Sequence, residues 1–253
     1  METLVGGSGE ETDAGEGAIS SLQWVQYQLD NYATVKEVLS HARDFQILKL
    51  LVTVHYFVCD ASGACGVVEL DAGTLKTYAN ASLPVPVMTN DPYPVEQEEI
   101  KKYKGYGGDE SVDTTPPAPR VVLLAEWLLS PLPKESIVDA FFSALDLVKW
   151  NLTRWQIVYR LEKEKKSLIS YRTPQHATPK AIHLDALDFP CALPVRFSVI
   201  DQEGNKGEPV WKPLTAAENA EVVRRATKAL RLLLPHGLAS RVAAYPQSLQ
   251  CSK

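Results

Sequence analysis

The sequence predicts an α+β protein, a sandwich of antiparallel sheets with helices on their outer faces. Three observations carry this. Val54 to Asn90 reads as a meander of short strands joined by turn residues, a second block of strands starts near Leu152, and the stretches before and between them have helical periodicity. Meanders on either side of a helical insert, with amphipathic helices to cover them, fit a four-layer α/β arrangement. At 253 residues and 27.9 kDa the chain is long enough to bury a substantial core. It is read as a single domain over residues 20–253, preceded by a disordered or loop segment over residues 1–19 that is rich in Gly, Glu, Ser and Thr and has neither the cationic nor the apolar region of a signal peptide.

In chain order, Ser20 or Ser21 caps a first helix whose stripe is Trp24, Val25, Gln28 and Leu29. Thr34 with Glu37 forms a capping box for a second, burying Val35, Val38, Leu39 and Ala42. Both should lie on one face of the sheet. Phe45 to Leu51 links into the meander. There Val54, Tyr56 and Val58 alternate with His55 and Phe57, Asp60-Ala-Ser-Gly63 makes a hairpin turn, and Cys65 to Leu70 is the return strand. After the turn at Asp71 to Gly73, Leu75 to Tyr78 resumes the pattern, and Pro86-Val-Met-Thr-Asn90 is read as a last strand. Pro94 to Tyr103 is expected as a surface helix, Lys104 to Asp109 as a glycine turn without phosphate-loop spacing, and Glu110 to Pro119 as loop. Arg120 opens an apolar helix to Leu129, broken by Pro131 and Pro133; Lys134 to Trp150 is amphipathic, with Ile137, Phe141, Leu145 and Val148 on one face and Ala140, Ala144 and Leu147 beside it. Strands follow at Leu152 to Leu161, Ser167 to Thr173 and Lys180 to Leu184. Pro190 to Pro213 is looser, and Thr215 with Glu218 boxes a final helix to about Leu234.

Charge and composition exclude some functions. A net charge of −5 offers no electrostatic footprint for nucleic acid, and no apolar run reaches the roughly 20 residues that span a bilayer. The four cysteines, Cys59, Cys65, Cys191 and Cys251, lack metal-type spacing, and no cofactor is implied. Cys59 and Cys65 could face each other across their hairpin, but they are read as two buried thiols. The sequons at Asn80 and Asn151 are read as chance.

The hairpin "CDASGACGVVEL" followed by "PVPVMTNDPY" resembles the choloylglycine hydrolase and penicillin V acylase family of linear amide C–N hydrolases. The resembling pieces are a D-x-x-G turn, a V-V-E strand and a segment ending T-N-D-P. Helices over Ser20 to Ala42 precede them, and "YKGYGG", "PAPRVVLLAEWL", "TRWQIVY" and "ISYRT" follow in the family's order, so that the likeness runs from about Ser20 to Asp188. It implies an αββα fold of the N-terminal-nucleophile (Ntn) type. It also implies that an N-terminal cysteine attacks the amide carbonyl while its own α-amino group, of ordinary pKa about 8, takes the proton. By resemblance Asn90 is the carboxamide that stabilises the oxyanion, Arg120 is the arginine after the glycine-rich loop, and Arg172 or Arg154 is the family's active-site arginine.

The chain as given begins Met1-Glu2, so the nucleophile is not among its residues. An internal cysteine has no free amine to replace it. Cysteine–histidine pairs (Cys59 with His55, or Cys191 with His183 or His176) are a poor substitute, since His55 and Cys59 would stand roughly 13 Å apart along one strand. The expectation is a fragment or N-terminally truncated amide hydrolase, inactive as written. The alternative is a non-catalytic binding or assembly module on the same fold. Partners implied by the resemblance are a small-molecule acyl amide and further copies of the chain; the protein is expected to be soluble, cytoplasmic by default, or exported if a segment precedes Met1.

Overall fold

The computed structural model describes residues 2–3, 17–48, 53–71, 73–113, 118–131, 136–151, 153–162, 167–187, 196–198, 209–229, 239–240 and 243–244. They fall into two compact units, residues 1–151 with 161–163, and residues 152–160 with 164–253.

The first unit is built on the sheet β1(Glu2–Thr3), β4(Val54–Cys59), β5(Cys65–Asp71) and β6(Thr74–Ala79), antiparallel in the spatial order β1-β4-β5-β6. A separate parallel pair joins β2(Ala18–Ser20) to β3(Gln46–Leu48). Thus part of the segment expected as loop, residues 1–19, and the link after Phe45 are paired as strand. Ile19 and Ile47 pack into the same apolar cluster, and it is this burial that orders them.

Side chains alternate across the β4–β5 hairpin. One face carries Val54, Tyr56 and Val68, packed with Trp24, Val38, Ala42 and Ile47 from the helical side. Helix α1(Ser21–Asn31) is opened by a Ser20–Gln23 capping box and α2(Val35–Ser40) by a Thr34–Glu37 box. Both helices lie on one sheet face, as expected. Leu29 does not join the stripe; it is 74% exposed, whereas Trp24 and Gln28 are buried. Gly66 lets α2 approach: a Cβ there would stand 3.1 Å from both Val35 and Leu39.

The cysteines correct the sequence reading. Cys59 and Cys65 are directly opposed in register, 4.1 Å apart at Cα, and form a disulfide. At the end of a hairpin the pair is too exposed for two buried thiols, and a narrow cross-strand pair is close enough to bridge. Cys191 and Cys251 lie outside the described residues. The enclosed turn is tied down further. Asp60 accepts the Ser62 amide (2.8 Å) and hydroxyl on one oxygen and the Val35 amide (2.9 Å) on the other, contacts that lower its pKa, the Ser62 hydroxyl most.

Residues 86–90 are not strand. Pro86 has no N–H to give a ladder, and Val85 and Val87 instead bury themselves against Ile100, Val121, Val122 and Ala125. The helix after Asn90, α3(Tyr93–Ile100), has an exposed side at Pro94, Val95 and Glu98, as expected of a surface helix, and buries Tyr93, Glu96, Gln97 and Ile100 on the other. The glycine turn is compact, with Gly105 and Gly107 at positive φ and the Tyr106 hydroxyl donating to the Ala125 carbonyl at 2.6 Å. Helix α4(Arg120–Leu129) packs on α3 and on α5(Ile137–Val148). On α5 the buried residues are Ala140, Phe142 and Ala144, while Ile137 and Phe141 are substantially exposed. The buried stripe runs through the two alanines expected beside the apolar face rather than through Ile137 and Phe141, and the Phe141 ring meets Trp127 of α4 edge-on.

The second unit holds the antiparallel sheet β7(Gln156–Arg160), β8(Leu168–Arg172), β9(Lys180–His183) and the pair β10(Arg196–Ser198) with β11(Trp211–Pro213). Helix α6(Ala216–Ala229) is opened by Thr215 and Glu218 as expected, and its expected end near Leu234 lies outside the described residues.

Candidate active site

The other face of the β4–β5 hairpin carries Phe57, Cys65 and Val67, packed with Tyr78, Leu83, Met88 and Tyr93, and at its far end two polar residues, His55 and Glu69. These last are opposite each other in register and 0% and 1% exposed. His55 Nε2 lies 2.8 Å from the Thr89 carbonyl. A carbonyl only accepts, so this nitrogen carries a proton and donates. The other ring nitrogen, Nδ1, faces Glu69 Oε2 at 3.4 Å, and the same oxygen accepts the Tyr93 amide at 3.0 Å. His55 and Glu69 thereby reach from the sheet to residues on either side of Asn90.

Glu96, on the buried stripe of α3, holds the same segment from the other side. Its carboxylate accepts the Thr89 amide on both oxygens (2.8 and 3.0 Å), the Thr89 hydroxyl (2.5 Å) and the Asp91 amide (3.3 Å). Burial, at 1% exposure, pushes its pKa up to about 7 despite these donors, which pull the other way. Burial also raises Tyr93, beyond the normal tyrosine range, and Tyr78, to about 12.

Asn90 sits between these grips and is 9% exposed. Its Oδ1 accepts from Arg120 Nη2 at 2.6 Å. Since a guanidinium only donates, the facing atom is the oxygen, and the amide's N–H₂ end points the other way. Arg120 opens α4, where a cation works against the helix dipole by about 0.3–1 kcal/mol. The Asn90 bond and the Trp150 ring, 5.6 Å from the guanidinium carbon, offset that.

Of the residues singled out from the sequence, then, Asn90 and Arg120 are brought together. Arg172 and Arg154 belong to the second unit. Arg172 Nε donates to Gln156 Oε1 at 2.7 Å across the β7–β8 ladder, and Arg154 is exposed just before β7. The Cys59–His55 pairing is ruled out, because the Cys59 sulfur is bonded to Cys65. Sequence reasoning passed over His55, Glu69, Thr89 and Glu96 as a group. The signal was there in part: a histidine and a glutamate inside apolar strands, and a glutamate on the Tyr93–Ile100 stripe. No His, Cys, Asp or Glu grouping suited to a metal occurs among the described residues.

Residues 6–115, under half of the chain, match the family described as linear amide C-N hydrolases, choloylglycine hydrolase family. Three solved structures are similar. A single-site mutant of the conjugated bile acid hydrolase from Clostridium perfringens aligns at a TM-score of 0.59 and 19% identity, covering 83% of this chain and 74% of that one. A second variant of the same hydrolase aligns at 0.58 and 20%, covering 74% and 70%. Penicillin V acylase from Agrobacterium tumefaciens aligns at 0.54 and 23%, covering 74% of this chain but only 62% of its own. No curated protein matches. These likenesses show the fold, and it is of the α+β class expected from the sequence. The likeness in sequence is to the choloylglycine hydrolase family of linear amide C–N hydrolases, over those residues alone. No helix among the described residues is long and apolar enough to cross a membrane.

Proposed function

We propose that this protein is built to bind an acyl amide, with the Asn90 carboxamide as the hydrogen-bond donor to the substrate carbonyl oxygen. The observation that carries the reading is the 2.6 Å bond from Arg120 to Asn90 Oδ1, which turns the donor end of the amide away from the guanidinium. A preorganised donor of this kind contributes roughly 3–4 kcal/mol to an oxyanionic transition state. Hydrolysis in the family's manner also needs a thiol and an amine on one N-terminal residue, and none of the four cysteines of the 253 residues stands in that position. Binding without turnover is therefore the expectation for the 253 residues by themselves. A longer form beginning at a cysteine would cleave the bond, with an acyl amide such as a bile-salt conjugate or penicillin V as substrate and the segment between Asn90 and Arg120 choosing among acyl groups.

The test uses glycocholate, penicillin V and cholate, the acid released from glycocholate, whose carboxylate stands in for the oxyanion. The purified chain should show no inhibitor-sensitive turnover of either amide. Cholate should bind, and Asn90→Ala should weaken it about tenfold or more, the cost of one hydrogen bond to a charged group. Turnover by the chain as given, or cholate affinity indifferent to Asn90→Ala, overturns the reading.

A further inference from the structure

We infer that Glu96 is a positioning residue: it clamps the backbone on both sides of Asn90 and so fixes where the Asn90 carboxamide points. The inference rests on the reading of Asn90 as the carbonyl's donor, but its geometry stands apart from that reading. Glu96 grips the residues on either side of Asn90. It receives the amide and hydroxyl of Thr89 before it and the amide of Asp91 after it, all on one carboxylate. From the sheet side, His55 donates to the Thr89 carbonyl. The Thr89 residue is thus held by its amide, its hydroxyl and its carbonyl, and the Asn90 side chain is held in turn by Arg120.

A glutamate used only to fill space would not be 1% exposed at the side of two other buried ionisable groups. Those facing it are His55 from β4 and Tyr93 from its own helix; Glu69 stands behind His55, and Asp91 and Arg120 flank Asn90. The charge state decides how tight the clamp is. Ionised, Glu96 accepts every one of its donors. Protonated, one oxygen becomes a donor and turns toward the Thr89 hydroxyl, and the amide contacts weaken. The clamp should therefore tighten as pH rises through about 7.

Two measurements on the full 253-residue chain decide it. In ¹H–¹⁵N spectra without ligand, the Thr89 and Asp91 amides and the Asn90 side-chain amide should titrate together with a midpoint near 7, and Glu96→Gln should abolish that titration while leaving far-UV circular dichroism unchanged. With cholate as probe, wild-type affinity should rise about three- to tenfold from pH 6 to pH 8, whereas Glu96→Gln should bind about tenfold more weakly than wild type at pH 8 and show no pH dependence. Amides that do not titrate in the wild type, or that titrate equally in Glu96→Gln, overturn the inference. If Glu96→Gln does not fold, the wild-type titration alone decides. If the amides behave as expected but cholate binding ignores Asn90→Ala, the positioning role stands and the proposed function falls.

Discussion

The two faces of the β4–β5 hairpin are made from alternating residues of the same strands, yet they are stabilised in opposite ways. Val68 and Glu69 are neighbours in sequence and are 0% and 1% exposed. Val68 faces α1 and α2 in an apolar cluster with Trp24, Val54 and Tyr56. Glu69 faces the other way and holds the His55 ring and the Tyr93 amide. An apolar face is stable with any well-packed neighbour and asks little of geometry. A buried carboxylate is stable only while each of its partners is in place. The first kind of face builds a scaffold. The second fixes one segment, residues 89–93, in one position, which is what a site needs.

That contrast makes its sharpest prediction at these two adjacent positions. Glu69→Ala strands His55 and the Tyr93 amide in the core and should cost about 3–5 kcal/mol. Val68→Ala removes two methyl groups and leaves a small cavity, costing about 2 kcal/mol. Urea denaturation of both variants measures the difference, and equal losses would mean that the charged face is held by packing alone. Replacing His55 and Glu69 together by leucine should not restore stability, because the Thr89 carbonyl and the Tyr93 amide would each lose a partner.

The next effect is on pH. Glu96 is raised from 4.5 to about 7 in the folded protein. It therefore binds its proton more tightly folded than unfolded, so its contribution to stability is fully present below about 4.5 and is lost as pH rises through about 7. The loss is on the order of 3 kcal/mol for a shift of this size. Denaturation midpoints from pH 4.5 to 8 should fall in wild type, and Glu96→Gln should flatten that fall. Site order and global stability would then respond to Glu96 in opposite senses, since the ionised clamp that orders Asn90 is the one that is costly to bury.

The smallest effect is at the turn end of the same hairpin. The disulfide there closes a loop with a sequence separation of only 6, so reducing it should cost about 2 kcal/mol through the unfolded chain. The expected readout is a lower thermal midpoint in reductant with cholate affinity unchanged, because Cys59 and His55 lie at opposite ends of β4.

The β4–β5 hairpin with its alternating faces, the Thr34–Glu37 and Thr215–Glu218 boxes and the shared sheet face of α1 and α2 were legible in the sequence, because each depends on residues close in the chain. Alternation sets the strand faces, and a box closes over three positions. Asn90 and Arg120 were named from a resemblance, 30 residues apart, with nothing local to join them. Other readings failed where local pattern is silent: the helix after Asn90 looked polar and yet buries Glu96 and Gln97, α5 buries Ala140 and Ala144 in place of Ile137 and Phe141, and Cys59 and Cys65, read as thiols, are joined across the hairpin.

What the sequence by itself determined is therefore the alphabet of elements and the hairpin on which they are built, since period and turn chemistry are properties of neighbours. What only the tertiary structure decided is the grouping of His55, Glu69, Thr89, Glu96 and Arg120 around Asn90. Those residues come from two strands, two helices and the segment between them. A buried charge shows its purpose only when its partners, distant in the chain, have folded into hydrogen-bonding reach.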